Sequence, residues 1–249
     1  ADDLSLADRF IRSKLSKTIN DVCAAIEAYR FDQLANTLYE FIWNEYCDWY
    51  VEFTKAILKS DDISEKQKNA TAYTLVEVLE TIMRLAHPVM PFLTETIWAQ
   101  TAPMLGKTNK QETIMVAPFP KASDFALDAE AESQIAFIKE FATTVRNLRA
   151  EMKVGPSVVL SPLMRGANAK EQECAEKNFI YIKNLANIEM IKFISKDEAV
   201  PPCTAKPLGE AEVLIPMKDL INKDEEIKRL EGMIAKLMGN IKGGEAKLS

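Results

Sequence analysis

Leu38-Tyr39-Glu40-Phe41-Ile42-Trp43-Asn44-Glu45-Tyr46-Cys47-Asp48-Trp49-Tyr50 is the stretch whose reading decides the fold. Together with Leu34 just before it, its apolar residues Leu38, Phe41, Ile42, Tyr46 and Trp49 recur at three- and four-residue steps. That period predicts a helix over about 32–58, dense in aromatic side chains and central to the packing.

The same period extends outward on both sides. Upstream, Ile11, Leu15, Ile19, Val22 and Ile26 form one stripe over 5–29, opened by Ser5 and Asp8 in the spacing of a capping box. Downstream, Ser64-Glu65-Lys66-Gln67 is a second capping box, opening a helix through Leu75, Val78, Leu79, Ile82 and Leu85 that His87-Pro88 ends. A short helix over 94–100 follows. Residues 1–117 therefore read as an antiparallel helical bundle. Pro103, Gly106, Pro118 and Pro120 interrupt the pattern and set the domain boundary, with room for an extended piece at Ile114-Met115-Val116. Over 118–217 the reading is a small α/β unit: helices over 128–153 and 168–185, an extended run over 158–164, and strands over 188–194 and 211–215, in a three-stranded sheet. From 218 to 249 the stripe Leu220, Ile221, Ile227, Leu230, Ile234, Leu237 and Ile241 resembles one strand of a coiled-coil arm. Gly232, Gly239, Gly243 and Gly244 weaken it as a lone helix, each by about 1 kcal/mol relative to Ala. The fold class is mainly α: a helical bundle, a small α/β unit and a coiled-coil-like C-terminal helix.

Composition limits the function. Hydrophobic residues make up 47% and charged residues 27%, as in a globular protein, and only 8 glycines favour helix over a turn-rich β chain. No apolar run approaches the roughly 20 residues that span a bilayer, and the start Ala1-Asp2-Asp3 is acidic rather than signal-like. Cys23, Cys47, Cys174 and Cys203 lack metal-site spacing and read as free thiols of a reducing cytoplasm. With 31 basic and 37 acidic residues the net charge is -6, so RNA binding has to rest on a local basic face and weaken steeply with salt.

The residues of catalysis are missing. The one histidine, His87, precedes Pro88 and reads as a helix terminator, and no phosphate-cradling glycine motif or hydrolase elbow is present. Asp61-Asp62 and Glu225-Glu226 read as solvated charge. No catalytic residue, metal ligand or cofactor site is expected. Two features remain. Asn44, Glu45, Tyr46, Asp48, Trp49 and Tyr50 form either a buried network orienting helices, the favoured reading for Asp48 and Trp49, or a surface on which an unpaired base stacks. Arg9, Arg12, Lys14 and Lys17, and separately Arg146, Arg149 and Lys153, either track a phosphate backbone or keep helix faces in water.

Several segments carry a family resemblance. Leu6-Ala7-Asp8-Arg9-Phe10, Tyr29-Arg30-Phe31 and the Leu38–Tyr50 run are similar to the anticodon-binding bundle of bacterial-type valyl-tRNA synthetases. Arg84-Leu85-Ala86-His87-Pro88-Val89-Met90-Pro91-Phe92 with Thr94-Glu95-Thr96-Ile97-Trp98 resembles a segment shared by the valine, leucine and isoleucine enzymes. Val145-Arg146-Asn147-Leu148-Arg149-Ala150-Glu151-Met152 and Leu214-Ile215-Pro216-Met217 resemble the unit that precedes the valine enzyme's arm. The likeness runs nearly the whole chain in the family's order.

The resemblance implies the C-terminal, tRNA-binding part of a class I enzyme that joins valine to its tRNA using ATP and edits mischarged threonine. The HIGH and KMSKS signatures are absent, so this chain is expected neither to aminoacylate nor to edit, and the ATP site belongs to the full-length enzyme. The partners implied are valine tRNA and the catalytic domain of the same polypeptide, in a monomeric cytoplasmic enzyme. Val51 and Glu52 match the region near the anticodon, where Glu52 would accept a hydrogen bond from a base edge; Arg12, Arg146, Arg149 and Lys153 are expected on the RNA backbone. The family's bundle has a further helix upstream and its arm has a returning helix, so weak binding is expected. Two alternatives stand beside this: the equivalent domain of an isoleucine, leucine or methionine enzyme, and a helical protein-interaction module that uses Leu230, Ile234 and Leu237 to pair with another chain.

Overall fold

A computed structural model describes residues 3–106 and 113–217, with Ile234, Leu237 and Met238. The described chain is mainly helical with one small four-stranded sheet. Its described residues pack as two units, one within 1–142 and 173–185 and the other within 143–172 and 186–249. The boundary expected near 117 therefore falls within the first unit, and the actual division lies inside a later helix.

In the first unit α1 (Leu6–Glu27) begins on Ser5, whose hydroxyl accepts from the Asp8 N–H while the Asp8 carboxylate accepts from the Ser5 N–H. This is the expected capping box, here fully formed. At Ser64 only the forward bond forms, from the Gln67 N–H, ahead of α4 (Glu65–Ala86). Ile11, Leu15, Ile19 and Val22 are all buried, as their spacing requires. The stripe faces α2 (Phe31–Tyr39), the segment that follows it, and α4, which in turn packs on α3 (Val51–Leu58) and α5 (Pro91–Thr101). Each such side chain contributes up to about 1.5–3 kcal/mol by leaving water.

The expected helix over 32–58 is continuous, but its middle, Glu40–Tyr50, is π-helical. The buried side chains there are Phe41, Tyr46 and Tyr50. Their five- and four-residue steps suit the wider π turn better than an α turn. Tyr46 Oη donates to the Leu75 carbonyl at 2.9 Å, and Tyr50 Oη donates to Asp8 Oδ1 at 2.7 Å.

Asp8 is wholly buried, and its carboxylate also accepts from Thr71 Oγ1 at 2.7 Å and from Ser5 Oγ at 2.7 Å. Four donors thus replace the water lost on burial and tie α1, the π segment and α4 together at one point. Burial first, and the adjacent Asp8 charge second, push the Tyr50 hydroxyl well above its ordinary value, which keeps it a donor.

Several expectations are corrected. Ile114–Val116 is a 3₁₀ turn rather than an extended piece; Thr113 caps it, and Glu95 Oε2 accepts from Thr113 Oγ1 at 2.7 Å. His87 does cap the end of α4, as expected, but keeps right-handed helical geometry although Pro88 follows; its Nδ1 lies 2.7 Å from Thr94 Oγ1. The next helix starts three residues earlier than expected, at Pro91, because proline at the first position loses no helical bond. The expected helix over 168–185 is two, α7 (Ala169–Lys177) and α8 (Phe179–Ala186), parted at Asn178, whose Nδ2 donates to the Cys174 carbonyl and to Gln134 Oε1.

α6 (Ala129–Glu151) matches its expected span. Its first half joins the first unit through Asp128 to Arg9 at 2.7 Å and Glu132 to Ser13 and Lys17. In the second unit the sheet runs β2-β1-β4-β3 from β1 (Leu163–Arg165), β2 (Lys192–Ile194), β3 (Cys203–Leu208) and β4 (Ala211–Pro216). β1 is parallel to β2 and antiparallel to β4, with Met164 opposite Phe193 and Val213. Four strands replace the expected three. β3 escaped the periodicity because Pro207 and Lys206 disguise it, yet proline is tolerated on the edge strand it forms. It pairs with β4 through a hairpin whose turn residue Gly209 has φ 59°. The arm expected over 218–249 lies outside the described residues, apart from Ile234, Leu237 and Met238, which are helical and exposed.

Candidate nucleic-acid interface

The turn from α1 into α2 decides which side chains face solvent. The Arg30 N–H reaches back to the Ala25 carbonyl at 2.8 Å and the Tyr29 N–H to Ile26 at 3.0 Å, with Tyr29 left-handed at φ 55°. This is a Schellman closure with tyrosine where glycine is usual. It leaves Tyr29 80% and Phe31 62% exposed. Because Leu34 and Leu38 turn inward, Tyr39 and Trp43 turn out, 62% and 55% exposed. Their rings stack with centroids 6.4 Å apart and planes 10° from parallel. Arg30 and Asp32 pair through two bonds of 2.8–2.9 Å, and Arg30 holds the Asp32 carboxyl down to about 2.

Between α1 and α2 runs a groove. One cavity of about 470 Å³ is walled by Asp21, Gln33, Asn36, Thr37 and Glu40, with Ala24, Ala25 and Ala28 alongside. A second, of about 310 Å³, adds Lys14, Lys17 and Asn44, and shares Asp21, Thr37 and Glu40 with the first. The shared residues make the two continuous. The alanines leave the space that longer side chains would fill.

The residues singled out from the sequence are scattered. Val51 and Glu52 are half-buried at the start of α3, and Glu52 is paired with Lys55 one turn on. Arg12 is paired with Glu77, with its guanidinium 5.0 Å over the Phe125 ring. Arg9, Lys14 and Lys17 are likewise in ion pairs, with Asp128, Glu45 and Glu132. The basic cluster of α1 is thus engaged in holding the first unit together. Arg146 is exposed on α6. Arg149 is 7% exposed, and its guanidinium donates to the carbonyls of Gly155, Val158, Ala186 and Asn187. That geometry clamps backbone; it presents no charge to a phosphate, which corrects the expectation for Arg149. Lys153 is exposed and left-handed at φ 55°, closing α6 as Tyr29 closes α1.

The polar cluster of the π segment divides. Tyr46 and Tyr50 are buried and bonded as above, and Glu45 pairs with Lys14 and Lys139, whose amine is pushed down by burial. Trp49 is half-buried, stacked on Phe53 with Lys139 5.2 Å over its ring. Asp48 is exposed, which overturns the buried reading for it. Tyr39 and Trp43 were not selected from the sequence. Their signal was available: they are large aromatics lying off the stripe of Leu34, Leu38 and Phe41.

Residues 8–163, more than half of the chain, match the family model of the anticodon-binding domain of tRNA ligase, and the chain belongs to that family. Tyr29, Phe31, Tyr39 and Trp43, with α2 to α6, lie within the matched segment. The class is thereby that of the aminoacyl-tRNA synthetases, with tRNA as the partner. No helix among the described residues is long and apolar enough to cross a membrane, and no three His, Cys, Asp or Glu residues among them gather as a metal site would need.

Proposed function

We propose that this chain is the tRNA-binding part of valine-tRNA ligase, holding the anticodon stem-loop while the remainder of the ligase uses ATP to attach valine. The observation that carries the reading is the set of exposed aromatics, Tyr29, Phe31, Tyr39 and Trp43, from the α1–α2 turn through α2 into the π segment, inside the matched segment. Exposed rings cost a folded protein apolar burial and suit a partner with unpaired bases, whose faces stack on them. Valine rests on the Asn44–Tyr50 run and on Val145–Met152, which resemble the valine enzyme. Glu52 serves as a candidate acceptor for a base edge, and Arg146 and Lys153 as backbone contacts.

The test is fluorescence anisotropy of labelled valine tRNA at low and physiological salt, against the same tRNA with its anticodon exchanged. The expected result is tighter binding of the native anticodon, eroded by Glu52→Ala. Equal binding of both tRNAs with a steep salt dependence would leave backbone contact alone. Absence of binding even at low salt would remove the RNA role from this chain.

A protein-interaction reading has one observation of its own. At the α4–α5 corner Val89, Met90, Phe92 and Leu93 are exposed, Phe92 by 87%. An apolar patch of this kind suits a protein surface better than a phosphate backbone. This reading predicts that tRNA leaves the chain unbound while alanine at Phe92 disrupts an assembly seen by sedimentation.

A further inference from the structure

We propose, resting on the tRNA-binding reading above, that the Tyr39–Trp43 pair and the adjoining α1–α2 groove form a subsite for one unpaired base that carries an amino group on its pairing edge.

The pair supplies the platform. Tyr39 and Trp43 lie one turn apart with rings nearly parallel and more than half exposed, so the rings are held in place by each other and not by a core. A flat aromatic surface of this kind binds any base by its face and leaves identity to be read at the edge. The edge readers stand on the same helix. Asn36 and Glu40 precede Tyr39 and Trp43 by three residues each, the spacing of neighbouring side chains on a helix surface. Both line the groove.

Size and charge then choose the occupant. At about 470 Å³ the wider part of the groove suits a single small group, not a helix or a duplex. Asp21 and Glu40 are exposed on opposite walls, with no hydrogen bond or ion pair among the described residues. Carboxylates only accept, so they favour a base with an amino group on its pairing edge: N4 of cytosine, N6 of adenine or N2 of guanine. Uracil would bring its O4 against them and be disfavoured. The same carboxylates repel a phosphate from this stretch. Lys14 and Lys17 line the far end, each already in an ion pair, with Glu45 and Glu132.

The experiment uses the whole chain and three probes: valine tRNA, a short RNA hairpin with an unpaired cytidine- and adenosine-rich loop, and the same strand fully paired. Tryptophan emission and anisotropy are read together, and circular dichroism checks the fold of each variant. Trp43 is exposed, Trp49 half-buried beneath the Lys139 amine and Trp98 buried, so a stacked base should quench mainly Trp43. The expected result is quenching by the hairpin and not by the duplex. Trp43→Phe removes most of the quenching, Tyr39→Ala weakens hairpin binding about tenfold, and Glu40→Gln with Asp21→Asn narrows the preference for a cytidine loop over a uridine loop. Hairpin binding that Tyr39→Ala, Trp43→Phe and the carboxylate pair all leave unchanged would overturn the subsite and spare the tRNA-binding reading. No binding of hairpin or valine tRNA would overturn both.

Discussion

Asp8 sits among Ser5, Tyr50 and Thr71, with no cation among the described residues bonded to it, so its burial depends on every donor remaining. Tyr50→Phe removes one hydroxyl and little volume. It is expected to lower unfolding free energy by about 1–3 kcal/mol in urea titration, while Tyr46→Phe, which frees only a backbone carbonyl, costs less. Arg149 makes the converse case. A fork of donors closing on four carbonyls is a structural device, and burial pushes its guanidinium down from its ordinary value. Arg149→Ala is expected to cost about 2 kcal/mol or more in the same titration and to leave the salt dependence of tRNA binding unaltered, whereas a phosphate contact would reduce that slope. Nothing in the local sequence separates Arg149 from Arg146, because which of two nearby arginines meets a loop is settled by chain that arrives from 155–158 and 186–187.

At the scale of elements, the α1–α2 turn carries a visible conflict between stability and exposure. Tyr29 is left-handed, a conformation in which a side chain is strained and glycine is not. Tyr29→Gly is expected to raise stability by about 0.5–1 kcal/mol, checked by thermal unfolding, and to weaken tRNA binding if the ring meets RNA. The helix start at Ser5 was legible from two residues at the right spacing. The π segment was not: a three- and four-residue reading of Phe41, Ile42, Tyr46 and Trp49 describes an α-helix, and only the pull of Asp8 on Tyr50 and of the Leu75 carbonyl on Tyr46 selects the wider turn. β3 was hidden for a related reason, since an edge strand is defined by its partner more than by its own alternation.

In the molecule as a whole, basic residues serve the packing of the first unit before they serve a ligand. Arg9 holds the Asp128 carboxyl below its ordinary 3.8. Burial raises Glu132, but bonds from Lys17 and Ser13 outweigh it and bring that carboxyl below 4.5. Carboxyls depressed on folding add stability above their ordinary values and lose it as pH falls through the folded ones. The first unit is therefore expected to lose stability below about pH 4.5, followed by circular dichroism across an acid titration, and Asp128→Asn should flatten that decline. A net charge of -6 with α1's cations already paired also means that RNA affinity has to come substantially from stacking, so aromatic substitutions should cost more at physiological salt than lysine substitutions on α1.

By itself the sequence determined the helical character of the chain, the stripe that α1 buries, the capping box at Ser5 and the likeness to an anticodon-binding domain. These depend on periodicity and on short-range bonds, which reach no further than a turn of helix. The tertiary structure decided which charges are spent internally, where the two units divide within α6, that four strands and not three make the sheet, and that Tyr39 and Trp43 stand in solvent beside a groove. Each of those depends on partners remote in sequence, such as Glu132 for Lys17 or β4 for β3, and a linear pattern does not carry that distance.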